Sequence, residues 1–251
     1  MSFAFFLNLT GKDRNPQSNL ILGCLMALIA GAVNAGGFLA VQRYTSHMTG
    51  IISGIADDLI VNDLTVVLAG IAALVCFIAG AATTAIFINW ARRRKLHSEF
   101  ALSLALEAGL LLVFGLLGAN LNILVEVFVP TTVLLLCFIM GLQNAIMTKV
   151  SRAEIRTTHM TGVVTDIGIE LGRLFYWNRS KHLPPDENVR ANRQKLKIYL
   201  SIFSAFLTGG ILGALAFKEV GYFTTVPIAI FLLLLAAPPM LRDIFTISKR
   251  K

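Results

Sequence analysis

Long apolar runs separated by short polar connectors dominate the chain. The runs fall at 19–41, 65–91, 99–119, 124–147, 196–217 and 221–241. Each is close to the ~20 residues that a helix needs to cross a ~30 Å hydrocarbon core. Two further apolar pieces, 47–59 and 159–176, are shorter and carry acids within them. At 1.5 Å rise per residue the first reaches only ~20 Å, so both read as half-helices.

Composition supports the same class. Hydrophobic residues make up 56% of the 251 positions, charged residues 14%, and the mean hydropathy is +0.73. Soluble domains carry about a quarter charged residues, and six spans leave no length for a sizeable soluble domain. The expected fold is an all-α integral membrane protein with six transmembrane helices. The three cysteines, Cys24, Cys76 and Cys137, lie inside apolar runs and read as small packing residues.

Charge sets the expected topology, because cytoplasmic loops are enriched in Lys and Arg. Placing Arg92, Arg93, Arg94 and Lys95 inside, and counting six spans, leaves only Arg43 and Lys218 outside among 22 basic residues. Both termini are then cytoplasmic. The formal charge of +8 is spread between spans rather than gathered in one stripe, so it points to topology and not to nucleic acid. Residues 1–18 form the expected cytoplasmic N-terminal segment and 242–251 the tail. The apolar stretch at the amino terminus precedes its charges, the reverse of a signal peptide, and no cleaved leader is expected. The sequons at Asn8 and Asn178 fall on the cytoplasmic side.

An internal repeat organises the spans. The segment from Gly31 and the segment from Gly141 both run Gly, two residues, Asn-Ala, a polar linker, then His-Met-Thr-Gly, with an acid eleven residues after the histidine, Asp58 or Glu170. Gly80 and Thr83 in the second span find echoes in Thr208, Gly209 and Gly210 of the fifth. The first repeat spans 19–119 with half-helix 47–59. The second spans 124–241 with half-helix 159–176 and a basic connector at 177–195. Three spans per half force the halves into opposite orientations, so the expected fold is two inverted three-helix repeats, each with a re-entrant half-helix. Irregular backbone at membrane depth survives only where it is buried in protein or lines a wet cavity, which implies a polar site near the midplane.

The Asn-Ala-Gly-Gly segment followed by Met-Thr-Gly, on a six-span chain of this length, resembles the YoaK-type family of bacterial inner-membrane proteins. The resemblance runs from about Asn19 to Leu241 and implies a fold and a compartment, the bacterial inner membrane, without an activity.

Candidate chemistry follows the repeat. Asn34 and Asn144 are amides near the ends of apolar helices, and His47, Thr49, His159 and Thr161 sit at the half-helix amino termini, where free N–H groups and the dipole favour an anion or polarised oxygen. These six are the candidate substrate contacts. Glu107 stands alone in the middle of an apolar span, and Asp166 shares a half-helix face with His159, Glu170 and Arg173. Both are candidates for proton coupling, because intramembrane acids mark functional sites. Gly209 and Gly213 form a small-xxx-small pair for close helix packing, and Pro227, Pro238 and Pro239 are expected to kink or end the last span.

No catalytic motif, metal-ligand spacing or cofactor fingerprint is present in the sequence, so no enzyme activity and no cofactor are expected. The expected function is a secondary carrier for a small polar or anionic solute, coupled to protons. The expected partners are the bilayer and that solute, with a homo-oligomer left open. Two alternatives share the architecture: a channel with re-entrant filter loops, and a scaffold or sensor using its basic connector.

Overall fold

The computed structural model describes residues 9–11, 15–121, 125–150, 160–176 and 189–248. Among them are eight α-helices and no strand: α1 (Pro16–Val41), α2 (Met48–Ile60), α3 (Leu64–Arg93), α4 (Ala101–Ala119), α5 (Val125–Val150), α6 (Met160–Phe175), α7 (Arg193–Glu219) and α8 (Thr225–Ser248). Six of these, all but α2 and α6, are long and apolar enough to cross a membrane. Their outward faces therefore meet the lipid bilayer.

Local chemistry fixes the helix starts. Asn15 caps α1 by accepting from Ser18 N at 2.7 Å, with Pro16 in the first turn where its missing N–H costs nothing. Asp63 caps α3 by accepting from Val66 N, and Asn192 caps α7 by accepting from Gln194 N and Lys195 N. The long helix α8 runs unbroken through Pro238 and Pro239 rather than ending there. Pro239 offers no N–H to the Leu235 carbonyl one turn back. The hydroxyl of Thr10 donates to that carbonyl instead, at 2.9 Å and fully buried.

Packing is pairwise. α1 lies on α7, α3 on α5, and α4 on α8, while α2 leans on α3 and α6 on α7. The first two pairs cross through glycine. A Cβ on Gly209 would strike the carbonyl of Leu28, and one on Gly31 would strike the carbonyl of Phe206. The other pair repeats this: Gly80 against the Phe138 carbonyl, and Gly141 against the Phe77 carbonyl. One turn further on, Gly213 sits against Ala32, and at the matching place Thr84 Oγ1 donates to the Leu142 carbonyl at 3.1 Å.

The core lies between α1, α4, α5 and α8, with Leu22, Met26, Leu104, Phe114, Leu136, Met140 and Leu232 all fully buried. α3 is peripheral: only 17% of its apolar stretch is buried against 56% for α1. Polar contacts lock the end opposite α2. Arg92 Nε donates to Glu99 at 3.0 Å, and Asp243 accepts from His97 N, Ser98 N and Ser98 Oγ at 2.9, 2.9 and 2.6 Å. The α3–α4 connector is thereby tied to the last turns of α8.

Candidate functional site

The chain leaves α1 through a sharp reversal. Gln42 adopts a left-handed conformation (φ 54°) and its N–H reaches the Phe38 carbonyl. Phe38 then stacks on Tyr44 with ring centroids 4.7 Å apart, Thr45 is buried, and Ser46 Oγ donates to Asn34 Oδ1 at 2.9 Å. These contacts fold residues 42–47 back onto α1 and deliver His47 to the start of α2. A Cβ on Gly50 would collide with the His47 ring. The His-x-x-Gly spacing thus lets the imidazole lie against the first turn of its own helix.

At the other end of α2, Asn62 (φ 61°) turns the chain into α3. The two helices run back along one another, close enough that a Cβ on Gly70 would lie 2.6 Å from Ile55 Cγ1. α2 has no buried residue of its own. Such a helix stands off the bundle, and the gap behind it is a cavity of about 600 Å³ between α2, α3, the 42–47 turn and the first half of α5. That size is ordinary for a small-molecule site.

The lining is mainly apolar, with Ile51, Ile55, Val66, Val129, Val133 and Leu134 among its walls. Three side chains able to carry charge near neutral pH break this: Arg43, His47 and Asp58. Neither Arg43 nor Asp58 forms an ion pair or side-chain hydrogen bond among the described residues. His47 and Asp58 lie eleven residues apart on α2, so about 16 Å of helix separates them. Asp58 lines the same cavity as His47, on the face that the repeat pairs with His159 and Glu170.

A family model described as "Protein of unknown function (DUF1275)" matches residues 22–237, most of the chain. The chain belongs to this family. It is also similar to the UPF0700 transmembrane protein YoaK of Bacillus subtilis (strain 168), 30% identical over 205 residues, which is 79% of this chain and 84% of the relative. No solved structure matches. The YoaK-type resemblance read from the motifs is therefore correct.

In this DUF1275 chain, of the five candidate substrate contacts among the described residues, His47 lines the cavity and Asn34, Thr49, Asn144 and Thr161 do not. Thr49 is exposed on the first turn of α2, and Thr161 is exposed on the first turn of α6. Asn34 serves the turn through Ser46, and Asn144 Nδ2 donates to Met140 O in its own helix at 2.9 Å. His159 lies outside the described residues.

The two proton candidates differ sharply. Glu107 is fully buried in α4, and among the described residues neither carboxyl oxygen has a hydrogen-bond partner, nor does Ser103 Oγ one turn earlier. Asp166 is half-buried on α6, where the neighbouring Glu170 does the anchoring by accepting from Arg173 Nη1 at 2.8 Å and from Asn192 N at 2.6 Å. Among the described residues no group of three His, Cys, Asp or Glu side chains is arranged to hold a metal ion.

Sequence reasoning missed Arg43 as a site residue. The signal was present: Arg43 is one of only two basic residues assigned to the sparsely charged face.

Proposed function

We propose that the protein is a secondary carrier for a small polar or anionic solute, built from two inverted repeats in the bacterial inner membrane. The observation that carries this reading is the matched glycine crossing. Exchanging the halves turns the contact of Gly209 with Leu28 into that of Gly80 with Phe138, and Gly31 with Phe206 into Gly141 with Phe77. It likewise turns α2 on α3 into α6 on α7. Three spans per half make the related halves run in opposite directions, the arrangement that lets one site be presented to either side.

In this account α2 enters from the outer face and α6 from the cytoplasmic face. The cavity behind α2 is the outward-facing solute site, and the tied ends of α3, α4 and α8 close the inner side. Glu107 is the coupling group. Acids within membrane spans mark proton relays, and a mid-span carboxyl can take up and release a proton as its surroundings rearrange.

The test is uptake into proteoliposomes under an imposed pH gradient, screened over small organic anions and zwitterions. Saturable, gradient-driven uptake with counterflow is expected, and His47→Ala and His159→Ala should each impair it while leaving the protein folded. Uptake that never saturates and shows no counterflow would point to a channel and overturn the carrier reading.

A further inference from the structure

The cavity behind α2 has a polarity of its own. Arg43 and His47 lie at the end formed by the 42–47 turn, while Asp58 lies near the far end of α2. Between them the wall is hydrocarbon: Ile51 and Ile55 from α2, Val66 from α3, and Val129, Val133 and Leu134 from α5. Arg43 and Asp58 are both without an ionic partner among the described residues. A solute that fills this space must offer a negative group to one end and an apolar body to the wall. It must also keep a second negative charge away from Asp58.

We propose that the cavity binds an amphipathic monoanion, an apolar chain or ring ending in one carboxylate or phosphate, with the head at Arg43 and His47. This deepens the carrier reading by naming the solute class of the same site, and it rests on that reading only for the direction of transport. The guanidinium supplies a bidentate, permanently charged partner for the head. The apolar body gains from leaving water along the α5 wall. A dianion of similar length is rejected, because its far charge meets the hydrocarbon wall.

The probes are hexanoate, hexanamide and adipate, added to the full-length protein in phosphatidylcholine nanodiscs and read by calorimetric titration and melting temperature. Hexanoate should bind and raise the melting temperature, whereas hexanamide and adipate should do neither at the same concentration. Arg43→Gln should weaken hexanoate on the order of tenfold or more, with Arg43→Lys recovering part of the loss. Hexanamide binding as well as hexanoate, or adipate binding as well as hexanoate, would overturn the proposal. The same head and tail could be supplied by a lipid. Nanodiscs containing phosphatidylglycerol separate the sources: if they raise the melting temperature and block hexanoate, the occupant is a lipid, and if hexanoate binds equally in both, it is a free acid. Binding without flux would remove the carrier reading and leave this assignment, while flux of another solute without hexanoate binding would remove this assignment alone.

Discussion

Gly209 of α7 packs so closely on the Leu28 carbonyl of α1 that no side chain fits between the two helices. Gly80 stands in the same relation to Phe138. Gly209→Ala and Gly80→Ala should therefore destabilise the bundle to a similar degree, by about 1–3 kcal/mol each, the usual cost of overpacking a tight contact. Gly54, which has open space where a Cβ would go, is the control, and Gly54→Ala should leave the melting temperature nearly unchanged. A large loss from Gly80→Ala with none from Gly209→Ala would break the equivalence of the halves.

Thr10 and Pro239 should behave as a coupled pair. Thr10→Val leaves the Leu235 carbonyl buried without a donor and should cost about 1–3 kcal/mol. Pro239→Ala restores a backbone N–H to that carbonyl, so in the Pro239→Ala background the Thr10→Val penalty should shrink. A double-mutant cycle on thermal or denaturant unfolding measures this directly. Strict additivity would mean that Thr10 stabilises by another route.

Glu107→Gln keeps the shape and most of the hydrogen bonding of the side chain but cannot ionise. If Glu107 carries the coupling proton, the mutant retains solute binding and exchange while losing accumulation driven by a pH gradient. Uptake measured with and without the gradient decides. Unchanged gradient-driven uptake in Glu107→Gln would reduce the residue to a buried packing group.

The spans were legible because lipid imposes them: a helix crossing hydrocarbon must be apolar for its whole length, and that requirement is written residue by residue. Gly209 and Gly213 were legible for a related reason, since small residues four apart leave a groove for a neighbour. What the chain does not display is which neighbour arrives. The hydrogen bond from Thr10 to Leu235 joins positions at opposite ends of the sequence, so continuation of α8 through two prolines had no local sign. Likewise the acids of α6 share one helical face, and only the position of Asn192 makes Glu170 the anchor and leaves Asp166 aside. The His-Met-Thr-Gly motif lies at the start of α2, whereas nothing in the sequence marks Arg43 as lining the cavity beside it, in a turn held by the hydrogen bond between Ser46 and Asn34.

In the proposed carrier the two halves enter the membrane in opposite senses. The positions just after the two short helices report this most directly: Asn62 after α2, and Ser180 after α6 in the basic connector. Single cysteines at Asn62, Asn120 and Ser180, in a background lacking the three native cysteines, are exposed in intact cells to a membrane-impermeant thiol reagent. Asn62→Cys and Asn120→Cys should label from outside, and Ser180→Cys should label only after the membrane is opened. External labelling of Ser180→Cys to the same extent as Asn62→Cys would put both halves in the same orientation and contradict the inverted carrier.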